Sequence, residues 1–279
     1  KVFLKRWDTM AIIIGSSHRN YLINGQNGSV GVLLKNSFKN IKDLNLLKIS
    51  PESDVLLHLA ASTESERILE SNIKYLVRVV DYCLDNKIKN IVFFSSVSVY
   101  GKQSKLNIKE NSGSQYLDLY GSSKLFAEQY LKNISNLNIL VLRFPAILTD
   151  KSNTYISSIL NDLSNNRSIC LSNYNKYFNN FISVDDIARF IDNYNFSDKY
   201  TVLNFASEQS QTLKDVVLYM RDLLESKSTI SYNDNESRYY NVSIEKLKSI
   251  FSFSPLDYKI SLKRWIERSS ESSNIKKVK

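Results

Sequence analysis

The stretch Lys89-Asn-Ile-Val-Phe-Phe-Ser-Ser-Val-Ser-Val-Tyr-Gly101 decides the fold. Its core, Ile91 to Phe94, is a continuous apolar run, which is typical of a parallel strand covered on both faces. The run ends in the hydroxyls of Ser95, Ser96 and Ser98. Because ligands of open α/β sheets bind outside the carboxyl ends of the strands, these hydroxyls are predicted to lie where chemistry is done.

A second stretch, Tyr120-Gly-Ser-Ser-Lys124, opens a predicted amphipathic helix that continues to Leu131. Tyr120 and Lys124 are four residues apart and therefore share one helix face. A phenol with a pKa of ~10 is a poor base at neutral pH, and a nearby ammonium is expected to lower that pKa. Taken alone, this spacing also arises by chance in a chain rich in Tyr and Lys. Three apolar side chains of this helix are predicted to face inward: Leu125, Phe126 and Tyr130.

Together these stretches resemble the extended short-chain dehydrogenase/reductases, the NAD-dependent epimerase/dehydratase group that acts on nucleotide sugars. The resemblance runs from about Tyr21 to Arg268. It also includes His58-Leu-Ala-Ala61, Asn72, Leu142-Arg143 and Phe181-Ile-Ser-Val-Asp-Asp186. It implies a Rossmann-like, doubly wound parallel α/β sheet with a small C-terminal substrate-binding lobe. It also implies that Ser96, Tyr120 and Lys124 are the catalytic residues and that the cofactor is NAD or NADP.

A glycine-rich turn follows the predicted first strand, Asn20-Tyr-Leu-Ile-Asn24. Gly25, Gly28 and Gly31 are spaced as GxxGxxG before an apolar helix start. This pattern lets the backbone approach a pyrophosphate at a helix N-terminus. Asn-Gly pairs also form ordinary turns, so this alternative stays open. The resemblance adds further cofactor contacts: Leu59, Ala60, Ala61, Asn72, Tyr120, Lys124 and Pro145.

The segment 32–53 is too short for the two helices and the second and third strands expected there. Family members place an acid at the end of the second strand to hold the adenosine ribose, and Asp43 is the candidate. A surface Asp in a turn is the alternative, and NAD cannot be distinguished from NADP. His58 lies in an apolar run and is predicted to be a core histidine. His18 is the second of two histidines, so no metal site is expected.

Substrate contacts follow from the resemblance only. They are Ser96, Val97, Ser98, Asn179 and Arg238, where Asn179 replaces an arginine of related enzymes and Arg238 is expected to bind a diphosphate. Dehydratases of the family carry Asp and Glu at the positions of Val97 and Ser98. Neither residue here can act as acid or base, which leaves a 4-keto-sugar reductase or a sugar epimerase.

Four regions are predicted: an uncertain leader or extra strand (1–20), a dinucleotide-binding domain (21–150), a mainly substrate-binding lobe (151–268) and a disordered tail (269–279). Within the lobe, Asp185 or Asp186 is expected to cap a helix, with Phe181 in the strand before it. Cys83 and Cys170 lie in apolar surroundings and argue against a disulfide scaffold.

The composition narrows the class of protein. The net charge of +9 comes from dispersed lysines, and no nucleic-acid motif accompanies it. No apolar run approaches the ~18 residues of a membrane span. We therefore expect a cytoplasmic protein with no nucleic-acid or membrane partner. The resemblance implies a nucleotide-sugar substrate and allows a homodimer.

A rival hypothesis is a family member that binds cofactor but has lost catalysis and serves as an interaction or regulatory protein. The short 32–53 segment, Ala146 in place of a family asparagine, and Asn179 favour it. The intact Ser/Tyr/Lys set opposes it. Between the two enzymatic hypotheses, weakened adenosine binding would make the cofactor exchangeable and narrowly favours the reductase.

Overall fold

The computed structural model describes residues 19–48, 53–103, 107–150, 153–233, 240–250 and 252–275. The possible extra strand before residue 19 and the predicted diphosphate contact Arg238 lie outside the described residues.

The described elements alternate between strands and helices along the first half of the chain. The strands are β1 (Tyr21–Asn24), β2 (Ile41–Asp43), β3 (Val55–His58), β4 (Asn90–Ser96), β5 (Asn107–Ile108), β6 (Asn138–Phe144), β7 (Ala146–Leu148), β8 (Ile169–Leu171), β9 (Phe181–Ser183), β10 (Tyr200–Asn204), β11 (Ile230–Tyr232) and β12 (Asn241–Val242). The helices are α1 (Ser29–Ser37), α2 (Tyr75–Asp85), α3 (Leu119–Lys132), α4 (Tyr155–Ser164), α5 (Val184–Asn193), α6 (Leu213–Leu223), α7 (Glu245–Ser249) and α8 (Tyr258–Ile275).

Six strands form one parallel sheet in the order β10-β6-β4-β3-β1-β2. Helices α1 and α5 cover one face and α2 and α3 the other. All residues of β1 and β3 are buried, as expected for strands covered on both sides. The predicted Rossmann-like fold class is confirmed.

The strand order reverses between β1 and β3, because the chain first adds β2 on one side and then β3, β4, β6 and β10 on the other. Residues 44–48 and 53–54, the described part of the β2–β3 connection, contain no helix or strand. The sheet therefore ends at β2, whose residues are half-buried or exposed. This agrees with the short 32–53 segment and places the ligand crevice between the ends of β1 and β3.

A smaller lobe packs around a separate core formed by α4, α6 and α8. Two short parallel sheets, β7-β9 and β8-β11, belong to it. Residues after 150 nevertheless also supply β10 and α5 to the main sheet and its cover. The lobe is therefore interleaved with the dinucleotide-binding domain rather than divided from it at residue 150.

Several local predictions need correction. Phe126 is exposed, since α3 packs through Ala127 and Leu131 on its other side. Ser183, not Asp185 or Asp186, caps α5, because its hydroxyl accepts from the Asp186 amide.

Two predictions about the later part of the chain also change. Cys170 is exposed on β8, while Cys83 is buried, and both are free thiols. Helix α8 continues to Ile275, through the first part of the predicted disordered tail, since Leu262, Trp265 and Ile266 anchor it in the lobe core. In the described part of the chain, no helix is both long and apolar enough to cross a membrane.

Candidate active site

The start of α3 lies directly against the turn that follows β4. Asp118 caps the helix by accepting a hydrogen bond from the Gly121 amide at 2.6 Å. A Cβ atom at Gly121 would stand 2.4 Å from the Ser98 carbonyl oxygen, so only glycine permits this approach. As a result, Tyr120 lies beside the end of β4, where the Ser96 hydroxyl is near enough to oppose the rise in the pKa of the phenol. The structure thus brings together two of the predicted catalytic residues.

Lys124 completes the set one turn further along α3. Its side chain is buried, and Nζ donates to the Phe94 carbonyl oxygen of β4 at 2.7 Å. The same atom lies 4.8 Å from the ring centroid of Phe93 and 5.9 Å from that of Tyr120. Burial lowers the pKa of Lys124 to about 8, and the nearby carboxylate of Glu128 opposes this shift.

The protonation of Tyr120 differs from the sequence-based expectation. Burial raises the pKa of Tyr120, Asp118 adds to the rise, and only the hydrogen bond from Ser96 opposes it. The predicted lowering by Lys124 is not seen, because the ammonium donates to the strand carbonyl while desolvation of the phenolate dominates. Tyr120 is therefore a neutral phenol here, able to donate a proton.

A cavity of about 420 Å³ opens at the strand-order reversal, at the same edge of the sheet as the end of β4. Its walls come from the glycine turn, the end of β3 and the helical segment before α2: Gly25, Gly28, Leu59, Ala60, Ala61, Glu70, Ser71 and Tyr75. Five of these residues are predicted cofactor contacts. Glu70, Ser71 and Tyr75 were not predicted, since nothing in their spacing signals a ligand.

The glycine turn fits a dinucleotide pyrophosphate. Gly25 has φ +73°, and a Cβ there would stand 2.9 Å from the Ala60 nitrogen. A Cβ at Gly31 would stand 2.3 Å from the Gly25 carbonyl oxygen. Gly28 is the N-cap of α1 and has no side chain to occupy the helix's free N–H groups. The turn therefore presents bare backbone and a positive helix end to the cavity.

Asn24 connects the glycine turn with the opposite cavity wall. Its Oδ1 accepts from the amides of Leu59 and Ala60 at 2.9 and 3.0 Å, and its amide contacts His58 Nδ1 at 2.6 Å. His58 is fully buried; burial, followed by the charge of Lys124, lowers its pKa to about 3. A neutral core histidine is what the sequence predicts at this position.

Comparison with known proteins agrees with this geometry. A sequence profile described as the NAD dependent epimerase/dehydratase family matches residues 22–204. The chain belongs to this family. The predicted resemblance is thereby confirmed.

Two relatives and one solved structure show the extent of the similarity. A UDP-glucose 4-epimerase of Caenorhabditis elegans is 31% identical over 104 residues, covering 33% of this chain and 30% of the relative. An ADP-L-glycero-D-manno-heptose-6-epimerase of Brachyspira hyodysenteriae is 22% identical over 208 residues, covering 67% of this chain and 64% of the relative. The chain thus spans less than two thirds of either relative. The structure of RMD from Pseudomonas aeruginosa complexed with NADPH has a TM-score of 0.74 at 20% identity, covering 91% of this chain and 99% of that one.

Other predicted contacts of this family member lie in different surroundings. Asn72 sits in a π-helical turn, Leu69–Lys74, and is buried. Its amide donates to the Ser62 carbonyl and to the Ser123 hydroxyl, both at 3.0 Å, and accepts from the Ser62 amide. It therefore supports the cavity wall and α3 from behind rather than contacting a cofactor.

Asn179 is fully buried, and its amide group bonds the backbone of Ser207 and Val242. The prediction that it contacts substrate is wrong, because both the oxygen and the nitrogen of its side-chain amide hydrogen-bond backbone groups inside the protein. Asp43 ends β2 as expected, and its carboxylate is 2.7 Å from Nζ of Lys35. Its role as a ribose contact stays a prediction.

Three predicted contacts lie at or next to the ends of β4 and β6. Val97 and Ser98 begin the turn after Ser96, and Pro145 follows β6; all three are half-buried. Their cofactor and substrate roles stay predictions.

A buried ion pair joins α3, the helix that carries Tyr120 and Lys124, to β6. Arg143 on β6 donates to both carboxylate oxygens of Glu128 on α3, with Nη2 at 2.6 Å from Oε2. Glu128 was not predicted, although its place four residues after Lys124 puts it on the same helix face.

Proposed function

We propose that this protein is an NAD(P)-dependent oxidoreductase that changes the oxidation state of one sugar carbon in a nucleotide-linked hexose. The observation that carries the proposal is the approach of the start of α3 to the end of β4 at Ser96. Lys124 Nζ donates to the Phe94 carbonyl oxygen at 2.7 Å and lies 5.9 Å from the Tyr120 ring centroid. This group lies at the edge of the sheet where the cavity of the glycine turn also opens.

Each residue of the group has a role that its surroundings support. Tyr120 exchanges a proton with the sugar oxygen, since it is the group with a transferable proton next to Ser96. Ser96 holds that oxygen through its hydroxyl. Lys124, whose Nζ lies 5.9 Å from the Tyr120 ring centroid, is proposed to contact the cofactor beside Tyr120. The nicotinamide cofactor, when bound, supplies or accepts the hydride.

The cofactor is proposed to lie along the cavity lined by Gly25, Gly28 and Leu59 to Ala61. The bare backbone of the turn and the N-terminus of α1 suit a pyrophosphate. The RMD structure that shares this fold is complexed with NADPH. The sheet's early end at β2 leaves Asp43 as the proposed ribose contact.

The nucleotide-sugar substrate is proposed from the relatives, which are named as UDP-glucose and ADP-heptose epimerases. Dehydration is disfavoured, because Val97 and Ser98 follow Ser96 and neither can act as a carboxylic acid or carboxylate base. Reduction of a 4-keto sugar and epimerisation are the two remaining reactions.

We favour the reductase narrowly. A neutral Tyr120 does not distinguish the two reactions, because both include a step that protonates a carbonyl oxygen. The shortened sheet offers fewer contacts to the adenosine half, so an exchangeable cofactor is expected. An epimerase regenerates its cofactor within each cycle and gains from keeping it bound.

The test has two arms. The protein is purified without added nucleotide and denatured, and the supernatant is assayed for NAD(H) and NADP(H). It is then mixed with NADH or NADPH and a UDP-4-keto-6-deoxyhexose, or with NAD⁺ and UDP-glucose or UDP-N-acetylglucosamine. Empty protein that oxidises NAD(P)H with the keto sugar supports the reductase. Near-stoichiometric bound NAD with formation of the 4-epimer would replace it by the epimerase.

A further inference from the structure

We propose that Glu128 is a positioning residue: its carboxylate, held by Arg143 and Ser95, fixes α3 against β4 and serves as the counter-charge of Lys124. The inference rests on the proposed function for the importance of Lys124, but it concerns a residue outside the catalytic set.

The first argument is connectivity. Tyr120 and Lys124 belong to α3, whereas Ser96 belongs to β4, so their spacing depends on how these two elements are held together. Glu128 accepts a hydrogen bond from the Ser95 hydroxyl at 2.5 Å, and Ser95 is the immediate neighbour of Ser96. One carboxylate therefore connects the helix of two catalytic residues to the strand of the third.

The ion pair extends this connection to the turn after Ser96. Arg143 donates to the Tyr100 hydroxyl and to the Glu110 carbonyl, both at 2.9 Å, and its guanidinium lies 4.9 Å from the Tyr100 ring centroid. Tyr100 in turn donates to Asn204 Oδ1 on β10. Both ends of the segment Ser96–Tyr100 are thus held by groups that depend on the Glu128–Arg143 pair.

The second argument is burial. Only 9% of the Arg143 side chain and 1% of the Glu128 side chain are exposed. A buried ion pair contributes little net stability compared with apolar residues of similar volume, whereas the loss of one partner is strongly destabilising. The stability of the fold therefore does not explain why Glu128 and Arg143 are charged. A role of the pair in orienting Tyr120 and Lys124, or in setting the electrostatics around them, does explain it.

The third argument is charge. Lys124 is buried against Phe93 and the Phe94 carbonyl on β4, His58 on β3, and Tyr120 and Glu128 on α3. His58 is neutral because of its burial, and Tyr120 is a neutral phenol. Glu128 is therefore the anion in this set, and its charge favours the ammonium form of Lys124.

The test measures the titration of Lys124 directly by NMR on protein labelled with [ε-¹³C]lysine. The Lys124 signal is assigned by its loss in Lys124→Met. Glu128→Gln keeps an oxygen that can accept from Ser95 and Arg143 but removes the negative charge. We expect it to lower the Lys124 midpoint, because the Glu128 carboxylate is the charge that opposes the fall in the pKa of Lys124. An unchanged midpoint would overturn the proposal.

Two further variants separate positioning from simple support of the fold. In Glu128→Leu/Arg143→Leu both charges are removed, so no uncompensated charge stays buried, and stability is expected to fall less than in either single Leu variant. The Lys124 midpoint should stay lowered, and turnover should stay reduced. A double variant with the original midpoint and turnover would show that the pair only braces the fold. Asp186→Asn is the matched control, since Asp186 is equally buried and paired with Arg189; it should not move the Lys124 signal.

The titration midpoint of Lys124 can be measured without substrate or cofactor. If the proposed redox function is wrong but Glu128 controls Lys124, the midpoint still shifts while no nucleotide sugar is turned over. If the function is right but Glu128 has no such role, turnover is found and the midpoint stays in place.

Discussion

A single methyl group at Gly31 tests the proposed cofactor cradle. In Gly31→Ala the new Cβ would stand 2.3 Å from the Gly25 carbonyl oxygen and 2.8 Å from Gln26 Cα, whereas ordinary contacts begin at 3.4 Å. The Gly25 carbonyl must therefore move by about 1 Å. Gly25 cannot follow freely, because its φ is +73° and its α-carbon is packed against Leu59 and Ala60.

The energetic effect follows from this overlap. Inserting a methyl group into a tightly packed site costs typically about 1–3 kcal/mol. In a chain of this size, we expect the melting temperature to fall by about 2–4 °C for each kcal/mol. Gly25 lines the cavity, so relief of the clash displaces backbone at the proposed cofactor site, and the affinity for NADH should fall by at least ~10-fold, which corresponds to ~1.4 kcal/mol.

The assay combines thermal unfolding with a fluorescence titration of NADH and NADPH. Gly113→Ala is the matched control, since Gly113 has open space where a Cβ would go and carries no positive φ. It should change neither the melting temperature nor the affinity for NADH and NADPH. If Gly31→Ala binds NADH as tightly as the unaltered protein, the turn 25–31 does not contact the cofactor and the argument fails.

Three further changes test other parts of the account. Tyr120→Phe should lower turnover by at least ~10² while cofactor binding survives, because it keeps the ring and removes the transferable proton; near-normal turnover would exclude Tyr120 as the acid or base. Gly28→Val should abolish cofactor binding and leave the far-UV circular dichroism spectrum unchanged, since Gly28 lines the cavity, its backbone is extended, and a Cβ there would stand 3.2 Å from the Gly25 carbonyl oxygen; unchanged affinity would make 25–31 an ordinary turn. His58→Leu should make the free energy of unfolding less sensitive to acid. In the unaltered protein, His58 binds a proton near pH 6.5 when the chain is unfolded but only near pH 3 when it is folded. The free energy of unfolding therefore falls by up to ~1.4 kcal/mol per pH unit as the pH drops through this window. Urea unfolding at several pH values measures the slope, and equal slopes in both proteins would contradict a buried neutral His58.

The sequence predicts the architecture well where patterns are local and unambiguous. The apolar run Ile91 to Phe94, the glycine spacing and the pair Tyr120 and Lys124 all occupy the predicted kinds of element. The short 32–53 segment also predicts the early end of the sheet, because too few residues are available for another strand.

The errors arise where tertiary contacts override local patterns. The apolar Phe126 is predicted to face inward, but the inner side of α3 carries Lys124 and Glu128 instead. These two charged side chains can be buried because Lys124 hydrogen-bonds a carbonyl oxygen of β4 and Glu128 pairs with Arg143. The raised pKa of Tyr120 depends on desolvation, which no residue spacing reveals. Asn179 stands where related enzymes have a substrate-binding residue, but its side-chain amide hydrogen-bonds backbone carbonyl oxygens that are distant in sequence.

The central claim is that the crevice at the strand-order reversal binds a nicotinamide cofactor next to Tyr120. The most direct test is a fluorescence titration of the purified, unaltered protein, freed of any bound nucleotide, with NADH and with NADPH. We predict saturable binding of at least one of them at one site per chain. No binding of either cofactor would contradict the claim and remove the basis for an oxidoreductase.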